Sequence, residues 1–283
     1  MRFVRLTAEQ RQFFDDHGYL FVRDAIAPEP LARFIAAADR LVDRCHREDG
    51  ARRASLTNVV AAEPELLPLL TWPTTVPLVV QLLSHNIHLT KSHLIYKHPD
   101  PPTAEQPTYW HRDIANSSDD LGLHGNTRMQ VRVAYHFSDC PGPGYGNTWL
   151  ARGSHTLDRE LDAVPGGTDP AGAFEPELKA GDAFLFENRT FHRQGLNLTD
   201  RTRKALMIGY SYSWLCPNDY VVQDAEVLEH AHDPIERQLL GALRRPNTQI
   251  DDGPLRAWAE RHGVRRASEI AAHAARQGAT GPA

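Results

Sequence analysis

Along the first third of the chain the apolar positions recur at helical spacing, and from about residue 86 they begin to alternate with polar ones, so helices give way to strands. Thr7-Ala8-Glu9-Gln10 has the form of a capping box, with Thr7 as N-cap and Gln10 reaching back, and Gly18 suits a left-handed helix end. Residues 19–22 read as a short strand. Pro28 opens an amphipathic helix in which Leu31, Phe34, Ile35, Ala38, Leu41 and Val42 share a face that needs a sheet to lie against. A polar loop over residues 48–53 and helical stretches at 64–70 and 76–83 complete this part.

Residues 87–97 form the first long strand, and the three prolines of His98-Pro99-Asp100-Pro101-Pro102 make the next segment a surface turn. Residues 108–113 are aromatic and β-favouring, and the polar stretch 114–127 reads as a loop that directly follows them, the kind of position where lids often occur. Residues 128–137 alternate most clearly. Met129, Val131, Val133, Tyr135 and Phe137 would pack on the helices, leaving Arg128, Gln130, Arg132, Ala134 and His136 on the other face. A Pro/Gly turn at 141–146 leads to a strand at 148–150, closed by Gly153-Ser154-His155. After a long loop, 174–178 and 183–187 read as a hairpin about Gly181-Asp182. The last long strand, 203–214, has a bulky face (Leu206, Ile208, Tyr210, Tyr212, Trp214) and one of smaller residues (Ala205, Met207, Gly209, Ser211) that begins with Arg203. Helices follow at 222–230, 235–243, 255–261 and 267–276. Many short strands with helices at both ends predict a β-rich α+β chain with a double-stranded β-helix core, a cupin-like jelly roll. We expect a single domain over residues 1–283: a helical third to about 85, a jelly-roll core over 86–214 and a helical extension over 219–277.

Composition narrows the function. With 41% hydrophobic and 24% charged residues the chain is globular. A formal charge of −5 and the absence of any basic run speak against nucleic acid as a partner. Basic residues are nearly all Arg, with Lys only at 91, 97, 179 and 204. No stretch reaches the roughly 18 consecutive apolar residues of a membrane span, and the start of the chain lacks a signal-peptide core. A cytoplasmic protein is expected. Cys45, Cys140 and Cys216 lack the spacing of a zinc site or a disulfide framework.

Candidate chemistry centres on Tyr109-Trp110-His111-Arg112-Asp113. In a strand, His111 and Asp113 would share a face and converge on one ion, the first half of a two-histidine, one-carboxylate site of the kind suited to Fe(II) with open positions. His-x-Asp occurs twice in this chain, but the prolines around His98 and Asp100 remove the second copy. The His-Arg-Asp triplet also suggests a kinase catalytic loop, yet the Asn expected five residues later, the Gly-rich loop and Asp-Phe-Gly are missing. Among the remaining histidines His192 fits best as third ligand, because it follows one strand, enters the next and precedes Arg203 by eleven residues. Small residues around the Arg203 guanidinium leave room for a carboxylate-bearing co-substrate. If the polar face of 128–136 lines a cavity, Gln130, Arg132 and His136 would contact a polar or anionic small molecule, with Tyr109, Trp110 and Trp149 as walls.

His111-x-Asp113, His192, Arg203, Gly153-Ser154-His155 and the opening Leu6-Thr-Ala-Glu-Gln-Arg-Gln-Phe-Phe-Asp-Asp-His-Gly-Tyr-Leu20 together resemble the phytanoyl-CoA dioxygenase family of Fe(II)/2-oxoglutarate-dependent oxygenases, over residues 6–214. The resemblance implies Fe(II) held by His111, Asp113 and His192, and 2-oxoglutarate held at its distal carboxylate by Arg203. Lys91 and His93, on the preceding strand, are further implied co-substrate contacts. It implies consumption of O2, release of succinate and CO2, and oxidation of a C–H bond; the family does not fix the substrate, and we expect hydroxylation of an unactivated C–H of a small molecule in natural-product biosynthesis or specialised catabolism. Because Asp113 is present, hydroxylation, desaturation or ring closure is expected in preference to chlorination. Two rivals use the same residues: a cupin-like metal-dependent hydrolase or isomerase, and a non-catalytic jelly-roll binding protein.

Overall fold

Thr7 caps the first helix as its sequence predicts: its hydroxyl accepts from Gln10 N at 3.1 Å, and the Gln10 side chain accepts from Thr7 N at 3.0 Å. This helix, α1 (Ala8–His17), ends at Gly18 with φ 82° and delivers the chain into β1 (Tyr19–Val22). The computed structural model describes residues 1–49, 55–114, 116–122, 127–159, 161–162, 167–243 and 252–266. After β1 come α2 (Pro28–Asp49), β2 (Ser55–Thr57), α3 (Val59–Ala62), a 3-10 helix (Pro64–Thr71), α4 (Val76–Leu82) and β3 (Ile87–Lys97). Then follow α5 (Asn116–Leu121), β4 (Gln130–His136), β5 (Thr148–Ala151), β6 (Ala173–Phe174), β7 (Ala183–Glu187), β8 (His192–Gln194) and β9 (Arg203–Tyr212). The described part ends with α6 (Ala225–His230), α7 (Pro234–Leu239) and α8 (Pro254–Arg261).

The strands form two antiparallel sheets. One has the order β1-β7-β4-β9-β3-β2 and the other β6-β5-β8. Alternation along β4 and β9 divides the larger sheet into two faces. Val131, Val133, Tyr135, Leu206, Ile208 and Tyr210 join the helices in the main apolar core, as expected. The Tyr210 hydroxyl donates to Leu70 O at 3.2 Å, so even the polar tips of that face tie the sheet to the 3-10 helix. The opposite face meets the smaller sheet. Tyr19, Ile95, Ala134, Phe184, Phe186 and Met207 pack there with Leu150 and Leu178.

Several expectations are corrected. The hairpin of 174–178 with 183–187 does not form: Ala173–Phe174 pairs with β5, whereas β7 inserts between β1 and β4. The connecting segment crosses between sheets because Leu178 exchanges backbone hydrogen bonds with Cys140 and the Asp182 carboxylate accepts from Asp24 N, Lys179 N and Arg23. Residues 108–113 are not a regular strand. His111 makes one isolated bridge, and the chain then turns at Ile114, φ 55°. Within the expected loop of 114–127 a short helix forms, and strand β2 and helix α3 occupy residues the periodicity left unassigned. The polar loop expected from residue 48 starts later, since α2 continues to Asp49. Residues 50–53 of that loop and the helix at 267–276 lie outside the described residues.

Candidate metal centre

The centre is assembled at the rim of the smaller sheet. His111 N donates to His192 O and His192 N to His111 O, both at 3.0 Å, which sets the two imidazoles side by side with ring centroids 4.2 Å apart. Asp113 is placed by a turn rather than by strand alternation. Its N–H donates to Asn188 O at 2.9 Å, and the intervening Arg112 points away into the protein. There the Arg112 guanidinium donates to the carbonyls of Arg189 (3.0 Å), Ser154 (3.1 Å) and Leu157 (2.8 Å) and lies 4.2 Å over the Phe191 ring. The Gly153-Ser154-His155 segment is thereby fastened under the centre. Its Ser154 hydroxyl also accepts from Phe191 N, one residue before His192.

Donor atoms of His111, Asp113 and His192 all lie within 4.8 Å of one another, the sole such cluster among the described residues. His192 Nδ1 is 2.9 Å from Thr190 O, which fixes the tautomer and turns Nε2 toward Asp113 Oδ1, 3.7 Å away. Burial pushes the His192 pKa down to about 4, against the opposing pull of Asp113, and burial also lowers that of His111. Both rings are therefore neutral at pH 7, the form in which imidazole ligates a metal. Buried atoms at the cluster lack partners, namely His111 Nδ1 and Asp113 Oδ2. A cation would satisfy them, so the donor set fits a metal ion with room for further ligands.

The other predicted residues separate into groups. Arg203 opens β9 fully covered, at 4% exposure, with a weak contact from Nη2 to Asn147 Oδ1 at 3.4 Å, the Cys140 thiol beside the guanidinium and no partner for Nε. Among the described residues no carboxylate forms an ion pair with it. The nearby Glu175 accepts instead from Gly144 N, Asn147 N and Trp149 Nε1. Burial depresses the Arg203 pKa, and a buried guanidinium in this state fits an incoming carboxylate. Lys91 and His93 share the inner face of β3, opposite Gly209 and Met207 of β9. His93 Nε2 bonds the Ser55 hydroxyl, and its pKa is pushed down to about 4 by burial and then by Lys91, Arg132 and Arg203.

On β4, Gln130, Arg132 and His136 do face inward. Arg132 Nη2, however, donates to Asp113 Oδ1 at 2.5 Å, so its immediate partner is a candidate metal ligand and not the open cavity. Gln130 Oε1 accepts from Arg132 Nε at 3.3 Å, and His136 lies at the far end of the strand, wholly buried beside Phe184. Trp149 is a correction. Leu150 points between the sheets, so alternation turns Trp149 outward, where it covers Arg193 at 4.3 Å. Trp110 covers the same guanidinium at 5.1 Å, and Tyr109 stacks on His111 at 5.2 Å while 77% exposed. Sequence reasoning missed the roles of Arg112, Thr190 and Asn147. Arg112 sits inside the motif, but nothing about its type signals three carbonyl partners distant in sequence.

Two facing antiparallel sheets with a two-histidine, one-carboxylate cluster between them define a class of proteins built to hold a metal ion with open positions. The chain belongs to the phytanoyl-CoA dioxygenase (PhyH) family, whose model matches residues 14–205. It is similar to a probable phytanoyl-CoA dioxygenase of Caenorhabditis elegans, 22% identical over 253 residues, covering 75% of this chain and 77% of the relative. The fold is similar to that of the epimerase SnoN in complex with Fe3+, alpha-ketoglutarate and nogalamycin RO, with TM-score 0.56, 22% identity, and 73% of this chain and 83% of that one covered. It is similar also to the non-haem alpha-ketoglutarate-dependent carbocyclase SnoK from nogalamycin biosynthesis, with TM-score 0.59, 20% identity, and 89% and 95% covered. Among the described residues no helix is long and apolar enough to cross a membrane.

Proposed function

We propose that this chain is a non-haem Fe(II)/2-oxoglutarate-dependent oxygenase that hydroxylates an unactivated C–H of a small molecule in biosynthesis or specialised catabolism. The observation that carries the reading is a buried guanidinium without a carboxylate, Arg203, on the same sheet face as Arg132, whose guanidinium touches the candidate ligand Asp113. One end of that face is suited to a metal and the other to a carboxylate, which is what a chelating keto acid with a distal carboxylate requires.

His111, Asp113 and His192 would hold Fe(II), and Arg203 would hold the distal carboxylate of 2-oxoglutarate. Bound iron, with 2-oxoglutarate and O2, supplies the oxidising chemistry that couples release of succinate and CO2 to hydroxylation. The chain's own contribution is placement. Thr190 O keeps the His192 proton on Nδ1, Arg132 fixes the Asp113 carboxylate, and the Phe184, Phe186 and Met207 side chains keep the space between the sheets dry. We read the two sheets as the halves of a jelly roll and the whole as one catalytic domain, since the helices share their core with the larger sheet. Three free thiols agree with a cytoplasmic setting.

The test is to add Fe(II) and 2-oxoglutarate to metal-free protein under argon and record the visible spectrum. A weak metal-to-ligand charge-transfer band in the intact protein, lost in His111→Ala and weakened in Arg203→Ala, is the expected result. Bound metal with no band in the intact protein would favour the hydrolase reading.

A further inference from the structure

Lys91, Gly209 and Arg132 lie in one row across the inner face of the larger sheet: Lys91 is opposite Gly209 on one side, and Arg132 is opposite Gly209 on the other. The two basic residues are therefore two strand spacings apart, roughly 10 Å between backbones, with a residue that has no side chain between them. A Cβ built on Gly209 would make ordinary contact with Gln130 Nε2 at 3.4 Å, Gln130 Cδ at 3.6 Å and Arg132 Cγ at 3.8 Å, so an alanine would fit there and take up what room remains beside those two side chains. Lys91 is half-buried and forms no ion pair or hydrogen bond among the described residues, whereas Lys97 and Lys204, at the other end of the sheet, are each paired with an aspartate.

Charge on this face is unbalanced. With Lys97 neutralised by Asp100, its remaining cations are Lys91, Arg132 and Arg203, and a bound Fe(II) would add two positive charges. Against them stand Asp113, the nearby Glu175 and the two carboxylates of a keto acid, which leaves an excess of positive charge even with Glu175 counted as ionised. His93 experiences the same excess: after burial, Lys91, Arg132 and Arg203 are what hold its ring neutral. Arg132 is committed to Asp113 and Arg203 suits the distal carboxylate, so the cation with no assigned counter-ion is Lys91.

We propose that the small molecule oxidised at this centre carries an anionic oxygen group, a carboxylate or phosphate, that seats over Gly209 and is held by Lys91. This rests on the oxygenase reading above and reassigns Lys91 from the co-substrate to the substrate. An anion there would remove the excess charge, and binding it from one sheet face would leave the rest of the molecule extending toward the metal. An uncharged analogue would leave the Lys91 ammonium desolvated without a partner, the condition that makes such sites selective.

The experiment uses protein loaded with Fe(II) and saturating 2-oxoglutarate under argon, with phenyl phosphate as probe and benzyl alcohol as uncharged control. Paramagnetic broadening of the 31P resonance and titration calorimetry read probe binding, and the charge-transfer band reads 2-oxoglutarate binding separately. Expected is saturable phenyl phosphate binding that leaves the band in place. Lys91→Met should weaken it about tenfold or more and Gly209→Ala several-fold, with 2-oxoglutarate affinity unchanged in both. The proposal is overturned if the loaded protein does not bind phenyl phosphate, if benzyl alcohol binds equally well, or if Lys91→Met binds the probe as well as the intact chain does. Loss of 2-oxoglutarate affinity in Lys91→Met would also overturn it, by returning Lys91 to the co-substrate. Absence of the band in intact protein is a different failure and removes the oxygenase reading itself.

Discussion

Arg132 Nη2 lies 2.5 Å from Asp113 Oδ1, so the carboxylate that would ligate the metal is already oriented by a cation from the opposite sheet. Asp113 sits on a turn after an isolated bridge, where no strand pairing fixes its side chain. Arg132 projects from the middle of β4, whose backbone is held by strand pairing on both sides. Rigidity is thus transferred from sheet to turn through one ion pair. Removing it in Arg132→Ala should lower metal affinity by about 10–100-fold, the usual effect of losing a group that orients a ligand. Arg132→Lys should recover part of the loss. Competition with a chromophoric chelator measures both, and far-ultraviolet circular dichroism should be unaltered.

Arg203→Ala should leave metal affinity intact and weaken 2-oxoglutarate. Breaking a buried charge pair costs about 3–5 kcal/mol, which corresponds to roughly two to three and a half decades in affinity. Titration of the charge-transfer band with 2-oxoglutarate reads this directly. An unchanged half-saturation would remove Arg203 from the co-substrate site.

How far these residues could be foreseen depended on whether local pattern or distant contact placed them. The capping box at Thr7, the alternation of β4 and the small-residue face of β9 are local, and each stands where the sequence put it. The hairpin of 174–178 with 183–187 looked equally local, but Leu178 found Cys140 and β7 found two partners far away in sequence. At the centre, residue types and spacing singled out His111, Asp113 and His192 together, although the strand invoked to align the first two is a bridge and a turn. For Arg132 the sequence offers a strand face that is either solvent or cavity wall, and neither the choice nor its partner can be read. Strand alternation gives a side chain's face but says nothing of what a turn from the other sheet brings against it.

Buried neutral imidazoles make the metal-free protein sensitive to mild acid. The His93 pKa is about 4 in the folded state, through burial first and then Lys91, whereas an unfolded histidine titrates near 6.5. Burial lowers His136 in the same direction. As pH falls below about 6.5 the unfolded chain takes up protons that the folded one refuses, so stability contributed by these rings is complete above that pH and is lost as pH falls, for His93 down to about pH 4. For His93 the loss is at most about 3 kcal/mol. Urea denaturation of metal-free protein at pH 7.5 and pH 5 should show a lower midpoint at pH 5, and His93→Gln should reduce the difference.

Gly18 links the first helix to the centre. Its φ of 82° is left-handed, and its carbonyl accepts from the Thr190 hydroxyl at 2.9 Å. Thr190 O in turn faces His192 Nδ1 at 2.9 Å. An added Cβ at Gly18 would collide with Thr190 Oγ1 and come within 2.8 Å of His155 Nδ1, while His155 Nε2 is held by Asp15 O at 2.8 Å and cannot readily retreat. Gly18→Ala should therefore cost on the order of 2–4 kcal/mol, part from the left-handed backbone and part from overpacking. It should also weaken metal binding, because relief of the collision displaces the carbonyl that orients His192. His155→Ala opens room on one side, so the double variant should lose less stability than the two single losses added together, a coupling that denaturant titration of all four proteins would measure. Strict additivity would mean that the added methyl and the His155 ring do not meet, and a Gly18→Ala protein that binds metal as tightly as the intact chain would mean that the contacts from Gly18 through Thr190 do not influence His192.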